Sequence, residues 1–480
     1  MPSSAGRGPE ILAEVRADEH GRPLSVESAS SRLLVPTVFA MYATAVANTT
    51  SGAVAQPAVG EAFSASPADV GWIVFGYSGA FAIMTAVYGS LARRFGLVPC
   101  LTTGVLLLAA GAAVAVFATS LPMLIVARVV QGLGAGAVPT LSMALIGRKL
   151  SGPARARALG VGTAAVGLGF AGGPLVGGLL LEWFGWRGAM ALGLLVAPAA
   201  AIVWRLDRDR GTSQTSVDLR GILLLAGTVG SLVFLINRLP VLGLTPVVVA
   251  AGVALVALGI VYIRYSGRRS DAVVPLDLLG HSQLRRLMGI GFIGQTAFLG
   301  TIVIVPIAAA RVHGLDGFVL GLLLVPMALA IALLSPRNGW LQERIGRPAT
   351  TRFAVSAVGI ASALLGLAGA DAPPVVLAGG LLVGGVGFSF LNPPLVNEVT
   401  RIFPGPERSV ALGVYNLVFF LGSASGAAIA TGLVAAPLVL PPLITAPLPG
   451  FSTALLLLAV PALLAAPVHW LGSRRATWTR

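Results

Sequence analysis

GVGTAAVGLGFAGGPLVGG, Gly160 to Gly178, and GVYNLVFFLGSASGA, Gly413 to Ala427, are two apolar, glycine-spaced stretches of one chain. Gly160, Gly169 and Gly173 in the first match Gly413, Gly422 and Gly426 in the second, each pair 253 residues apart. The same register carries Gln131, Gly132 and Gly134 onto Gly384, Gly385 and Gly387. Two helix pairs in one register indicate a duplicated bundle, a common construction among membrane proteins.

Working outward, apolar runs of about 20 residues, enough to cross a hydrocarbon core about 30 Å thick, recur along almost the whole chain. Of 480 residues, 56% are hydrophobic and 10% charged, and mean hydropathy is +0.89. Soluble domains carry about 25% charged residues, so the chain is not a water-soluble globule. The net charge of +14 sits in short segments between apolar runs, a pattern that sets membrane topology and does not indicate nucleic-acid binding. Cys100 is the only cysteine, which excludes an internal disulfide and a multi-cysteine metal site. Lys149 is the only lysine among 32 basic residues, an arginine bias that points toward a bacterial source.

Fourteen spans are expected at 33–54, 70–91, 97–118, 122–146, 158–181, 188–205, 221–237, 243–264, 287–308, 317–336, 351–369, 373–397, 410–434 and 451–471. With the N-terminus inside, 28 basic residues fall in cytoplasmic segments, and only Arg187, Arg238 and Arg311 fall outside. This asymmetry predicts both termini in the cytoplasm. The domains read as a disordered tail at 1–31, a six-helix bundle at 32–206, a linker with two extra helices at 207–286, a second six-helix bundle at 287–472 and a tail at 473–480. The run from Leu33 follows a long acidic leader and is too long for a cleaved signal, so it is expected to stay. The proline-rich stretch 436–450 is expected to be an extended outer loop with no assigned function.

Short turns follow the second helix of each half: GSLARRFG with Gly89, Arg93, Arg94 and Gly96, and GWLQERIGR with Gly339, Glu343, Arg344, Gly346 and Arg347. Together with LIVARVVQGLGAG, Leu124 to Gly136, these residues resemble the major facilitator superfamily. The resemblance extends in particular to its fourteen-helix drug:proton antiporter family and covers nearly the whole chain. The turns resemble the family's gating loops, and Gly160, Gly169, Gly173, Pro174, Gly177 and Gly178 match its exporter motif G-x8-G-x3-G-P-x2-G-G at every stated position. TAVYGSLARRFG and YNLVFFLGSASG look most like the tetracycline-efflux branch. The resemblance implies a multi-pass protein of the bacterial inner membrane that exports drug-like molecules against protons by alternating access, as a monomer and without a cofactor.

Physically, the glycines clear one helix face for close approach, and Pro174 removes an internal hydrogen bond. Arg128 lies inside an apolar run, where an arginine costs about 2.5 to 3.5 kcal/mol even on the lenient scale. It should therefore face a wet cavity or a partner, and the 253 register puts Leu381 at its equivalent. Two departures from the family stand out. The usual acid of the first gating loop is Arg93, although Glu343 keeps it in the second. The tetracycline-efflux branch would also place acids near Thr49 and at Ser423, and neither residue is acidic here.

None of the 18 acidic residues lies convincingly at the membrane midplane, and no histidine does. The nearest candidates for proton coupling are Asp69 and Glu398, with Arg128 tuning the cavity; both acids also read as ordinary helix-end charges. One charge crossing 100 mV supplies about 2.3 kcal/mol, roughly a 50-fold gradient, so one exchanged proton or a charged substrate suffices. The substrate cavity is expected from Asn48, Thr49, Tyr77, Arg128, Gln131, Gln295, Asn392, Tyr415 and Asn416. For each neutral member, helix-to-helix bonding is an equal alternative. No G-x4-G-K-[ST] motif is present, which leaves secondary transport. No nucleophile, metal cluster or acid pair suggests an enzyme. The readings carried beside drug export are solute uptake, monovalent cation exchange by the same fold, and a transport-dead membrane sensor.

Overall fold

In a bilayer every backbone polar group must be satisfied within the protein, which drives apolar runs into helices. The computed structural model describes residues 16–17, 23–24, 27–65, 67–150, 152–206, 218–269, 272–315, 317–403, 407–435, 448 and 450–477. The helices are α1 (Glu27–Val54), α2 (Gln56–Phe63), α3 (Pro67–Val70), α4 (Trp72–Phe95), α5 (Leu97–Val116), α6 (Leu121–Ala135), α7 (Ala137–Lys149), α8 (Gly152–Ala191), α9 (Ala197–Leu206) and α10 (Leu219–Leu242). They continue with α11 (Pro246–Ser266), α12 (Leu276–Gly280), α13 (Ser282–His313), α14 (Gly317–Leu334), α15 (Asn338–Ile345), α16 (Arg347–Ala368), α17 (Pro374–Ser389), α18 (Asn392–Ile402), α19 (Glu407–Ala435) and α20 (Phe451–Thr477).

Twelve helices among the described residues are long and apolar enough to cross a membrane, and Ala158–Phe170 and Phe451–Pro467 are shorter apolar helices. These two shorter helices make up the difference between twelve and the fourteen expected. Between 158 and 205, α8 kinks at the non-helical Gly185 (φ 65°, ψ −169°), which separates two helices between the two expected spans, and a 3-10 turn follows at Leu192–Val196. At the N-terminus α1 already begins at Glu27, inside the expected tail, and Arg16–Ala17 (β1) pairs antiparallel with Pro23–Leu24 (β2). The expected outer loop at 436–450 and the connector 207–217 lie almost wholly outside the described residues.

The duplication is visible as repeated packing. A Cβ on Gly134 would lie 2.3 Å from both the Gly104 carbonyl oxygen and the Leu108 amide nitrogen; one on Gly387 would lie 2.8 Å from those of Ala354 and Val358. Gly132 packs on the Tyr77 carbonyl and Gly385 on that of Met327, while Gly169 packs on Ala43 and Gly422 on Phe292. The offsets are 253 in α6 and α8, 250 in α4 and α5, and 249 in α1. Each half is therefore built on one frame whose helices are separated by slightly different connector lengths. Small residues permit these approaches, because lipid supplies no hydrophobic drive for helix association.

The halves meet along α4 with α19 and α8 with α14. A Cβ on Gly89 would stand 2.6 Å from the Ser409 carbonyl oxygen, and one on Gly160 3.0 Å from that of Ser335. Phe81 and Phe420 pack edge to face with centroids 4.5 Å apart. Helices α10 and α11 pack together, with α10 also against α4 and α19, and Val247, Val253 and Val256 of α11 are exposed.

Candidate functional site

Ser120 caps α6, its side chain accepting from the Met123 amide, and Pro122 sits in the first turn. Two turns on, Arg128 is fully buried. Its Nε donates to the Ile73 carbonyl (2.8 Å), Nη1 to Gln131 Oε1 (2.7 Å) and Nη2 to the Asn48 carbonyl (3.0 Å). The guanidinium lies 4.5 Å from the Tyr77 ring centroid. Hydrogen bonds to charged groups contribute about 1.5 to 3 kcal/mol each and a desolvated cation–π contact about 2, enough to offset the insertion cost. All these partners are neutral.

The surrounding polar groups are equally neutral. Asn48 Nδ2 donates to Gln131 Oε1 (2.7 Å). Tyr77 Oη (2.6 Å) and Thr49 Oγ1 (3.4 Å) both donate to the Ala45 carbonyl. Asn48 Oδ1 and Gln131 Nε2 are buried without a partner. Gly52 makes the room: a Cβ there would lie 2.5 Å from Arg128 Nη2.

The other half holds something different in the same place. By the packing offsets, Leu381 stands for Arg128, Gly384 for Gln131, Met327 for Tyr77, Phe298 for Thr49 and Thr301 for Gly52. These five residues line one apolar crevice, too tight to admit water, together with Ile302, Val358 and Ala361. The space that a guanidinium and an amide fill in the first half is an apolar crevice in the second.

The remaining polar residues form separate pairs. Gln295 Nε2 donates to Ser423 Oγ (2.7 Å), and Tyr415 Oη to Asn392 Oδ1 (2.9 Å). Asn416 Nδ2 reaches Thr140 Oγ1 (3.3 Å) across the two halves, and Thr140 in turn donates to the Thr85 carbonyl (2.9 Å). The nine residues expected to line one cavity are thus divided: Asn48, Thr49, Tyr77, Arg128 and Gln131 come together, and the other four bond helix to helix. Asp69 is exposed in the short α3. Glu398 accepts from Gln283 (2.9 Å) and Arg401 (2.5 Å) and lies 3.5 Å from Arg347. Neither acid bonds to Arg128.

The Major Facilitator Superfamily model matches residues 37–427 and again 287–477. This chain belongs to the major facilitator superfamily. Among curated relatives of this superfamily member, the drug efflux pump JefA of Mycobacterium tuberculosis is 28% identical over 396 residues, covering 80% of this chain and 76% of the relative. The multidrug resistance protein Stp of the same species is 28% identical over 391 residues, covering 80% and 72%. The tetracenomycin C resistance and export protein of Streptomyces glaucescens is 27% identical over 299 residues, covering 61% and 55%. Two solved structures share the fold at 17% identity. The human organic anion transporter MFSD10 has a TM-score of 0.65, with 92% of this chain and 99% of that one covered. The proton:xylose symporter XylE has a TM-score of 0.63, with 92% and 96% covered.

The two loops that resemble the superfamily's gating loops share one backbone shape. Gly96 (φ 92°, ψ 157°) and Gly346 (φ 80°, ψ 155°) stand 250 residues apart in a conformation that favours glycine. Their side-chain contacts differ. In the first loop Arg93 donates to Ser90 Oγ (3.4 Å) and Arg94 lies over the Phe95 ring. In the second, Arg344 lies over Trp340, Arg347 faces Glu398, and Glu343 is exposed. Gly339 is half-buried beside Asn338, whose amide donates to the Ser389 carbonyl (2.8 Å).

In the exporter-type motif, Gly169, Gly173 and Gly177 face α1, and Gly160 faces the other half at Ser335. A Cβ on Gly178 would meet nothing within 4 Å, and the helix continues through Pro174. Sequence reading missed Gly52, Thr85 and Thr140. Gly52 is signalled only by its closeness to Asn48, while Thr85 and Thr140 matter through a cross-half contact that carries no local pattern.

Proposed function

We propose that this protein is a secondary active exporter of an amphipathic organic compound, such as an antibiotic or other drug-like molecule. It works as a monomer in a bacterial inner membrane, with fourteen spans and both termini cytoplasmic. The single observation behind this reading is the matched pair of frames meeting along α4–α19 and α8–α14, with a buried guanidinium inside one of them. Such halves rock as rigid bodies, because packed interfaces switch between arrangements and do not deform continuously. The relatives named for drug efflux and multidrug resistance support the direction of transport. In this reading Gly89, Gly160 and the Asn416–Thr140 bond close the cytoplasmic side, and the loops at Gly96 and Gly346 hold the helix ends there.

Exchange for protons completes the proposal, with Asp69 and Glu398 as the carboxylates to test and Arg128 as the fixed charge between the two sides. Two assays test it. Expression in a pump-deleted bacterium is expected to raise resistance to at least one compound of a drug panel; no change for any compound removes the exporter reading. Uptake of that compound into everted vesicles is expected to collapse with a protonophore, and indifference to the protonophore removes proton exchange.

A further inference from the structure

We propose that the inserted pair α10–α11 is riveted to the second half by Asp218 and travels with it as one rigid body while α4 slides past. The inference rests on the rocking of halves in the exporter reading above. Asp218 is 5% exposed. Its Oδ1 accepts from the Gly221 amide (2.9 Å), which caps α10, and from Tyr265 Oη of α11 (2.5 Å). Arg269 Nη1 donates to the same Tyr265 oxygen (3.0 Å). Gly221 leaves the room, because a Cβ there would overlap Asp218 Oδ2. The chain that leaves α11 for the second half is held by neighbouring residues of the same helix. Tyr262 Oη accepts from the Val274 amide (3.0 Å), and Ser266 Oγ donates to the Val274 carbonyl (2.7 Å). Ala272, Val273 and Val274 are buried, and α12 and α13 follow directly. Arg285 of α13 then closes the end of α12, Nη1 donating to the Leu279 and Gly280 carbonyls (both 2.7 Å).

The two sides of the hairpin are bonded differently. Toward the second half, the path from Asp218 to α13 runs through hydrogen bonds, which weaken steeply once their geometry is disturbed, so this side resists displacement. α10 also packs on α19 of that half. Toward the first half the contact is made by rings. Phe234 lies 5.8 Å from Trp72, and the Arg238 guanidinium lies 5.5 Å from the same Trp72 ring. Ring pairs attract over centroid separations of about 4.5 to 7 Å, so this side tolerates sliding. Trp72 is the first residue of α4, at the end that the exporter reading places outside, where the swing between halves is widest. Seated across α4 and α19, the hairpin then keeps that seam covered against lipid in both arrangements. It moves with α19 and gives way only along α4.

The test uses the full-length protein in lipid nanodiscs, with spin labels at three exposed outer positions: Phe117 in the first half, Leu244 at the hairpin tip and Val375 in the second half. Phe117→Cys, Leu244→Cys and Val375→Cys are taken in pairs on a Cys100→Ser background, and distances are read by double electron–electron resonance. Each pair is measured with and without Gly89→Trp, a wedge against the Ser409 carbonyl that parts the cytoplasmic ends; Gly160→Trp, against the Ser335 carbonyl, is a second wedge. The Phe117–Val375 distance is expected to shorten and Phe117–Leu244 to change with it, while Leu244–Val375 stays within about 2 Å. Asp218→Ala is expected to broaden the Leu244–Val375 distribution at an unchanged Phe117–Val375 distance. Asp218→Asn keeps an acceptor for Gly221 and Tyr265 and is expected to restore it, whereas a general folding lesion would disturb every pair. A Leu244–Val375 distance that shifts with either wedge leaves the exporter reading standing and overturns the rivet, as does a distribution that Asp218→Ala leaves unchanged. A Phe117–Val375 distance that neither wedge moves overturns the rocking and the rivet together. Should Asp218→Ala fail to reach the membrane, the wedge comparison with Asp218 in place decides alone.

Discussion

Arg128 and Leu381 stand at the same position of two copies of one frame, each fully buried, and their surroundings differ in one respect. Around Arg128 a glycine, an amide and a tyrosine face make a socket for a planar cation. Around Leu381 a threonine, a glycine and a methionine leave an apolar crevice. The glycine contacts that fix helix against helix are kept in both halves, while the side chains that fill the centre are not. Scaffold and chemistry are separable here: close backbone approach specifies the bundle, and one socket specifies the charge.

The strongest way to break this comparison is Arg128→Ala. It takes a charged donor from the Ile73 and Asn48 carbonyls, each at a cost of about 1 to 3 kcal/mol, while Gln131 Oε1 keeps its bond from Asn48 Nδ2, and it is expected to abolish export while membrane abundance is retained. Drug susceptibility read beside a fluorescence abundance measurement checks both, and normal export would refute the role. Next, Gly134→Ala and Gly387→Ala should each cost about 1 to 3 kcal/mol by overpacking. Gly134→Ala should cost more, because its Cβ would stand at 2.3 Å against 2.8 Å at Gly387. Melting temperatures in detergent measure this, and a tolerated alanine at either site would count against the shared frame.

Gly52→Ala sharpens the contrast further. It is expected to displace the guanidinium and slow export about tenfold, about 1.4 kcal/mol, with little change in melting temperature, and unchanged vesicle uptake would dismiss Gly52 as part of the socket. The second half predicts the opposite sign. A Cβ on Gly384 would lie 3.6 Å from that of Ala361, ordinary contact, so Gly384→Ala should stabilise by up to about 1 kcal/mol through helix propensity; a lowered melting temperature would contradict the crevice. Smallest of all, Glu398→Gln releases the largely exposed Arg347 and Arg401. It should change stability by less than about 1 kcal/mol, and by less still at high salt; a large, salt-insensitive loss would show that this cluster does more than decorate a helix end.

Much of this was legible in the sequence. The 253 register and the spacing Gly160, Gly169, Gly173 exposed the duplication because close helix contacts tolerate almost nothing but glycine, so the constraint is written in residue identity. Arg128 was legible because a guanidinium within an apolar run is costly, and its equivalence with Leu381 followed from the same register. The 249 and 250 offsets of α1 and α4 were not, because those helices carry fewer matched glycines and connector lengths shift the numbering. The boundary between the fifth and sixth expected spans falls at Gly185, whose positive φ favours glycine and breaks the helix there. Gln295, Asn392, Tyr415 and Asn416 were legible as polar residues in a membrane, but not as partners. Which amide meets which hydroxyl depends on the rotation of each helix, and isolated polar residues in an apolar run do not record it.

The apolar crevice at Leu381 has a consequence for how such a molecule changes over generations. A duplicated half that keeps its ribs while filling its centre with apolar side chains can exchange those side chains without rebuilding its walls. Innovation in what the protein carries is therefore expected to accumulate first at Leu381, Gly384 and Met327, where no polar bond is at stake, and last around Arg128, whose guanidinium holds three partners at once.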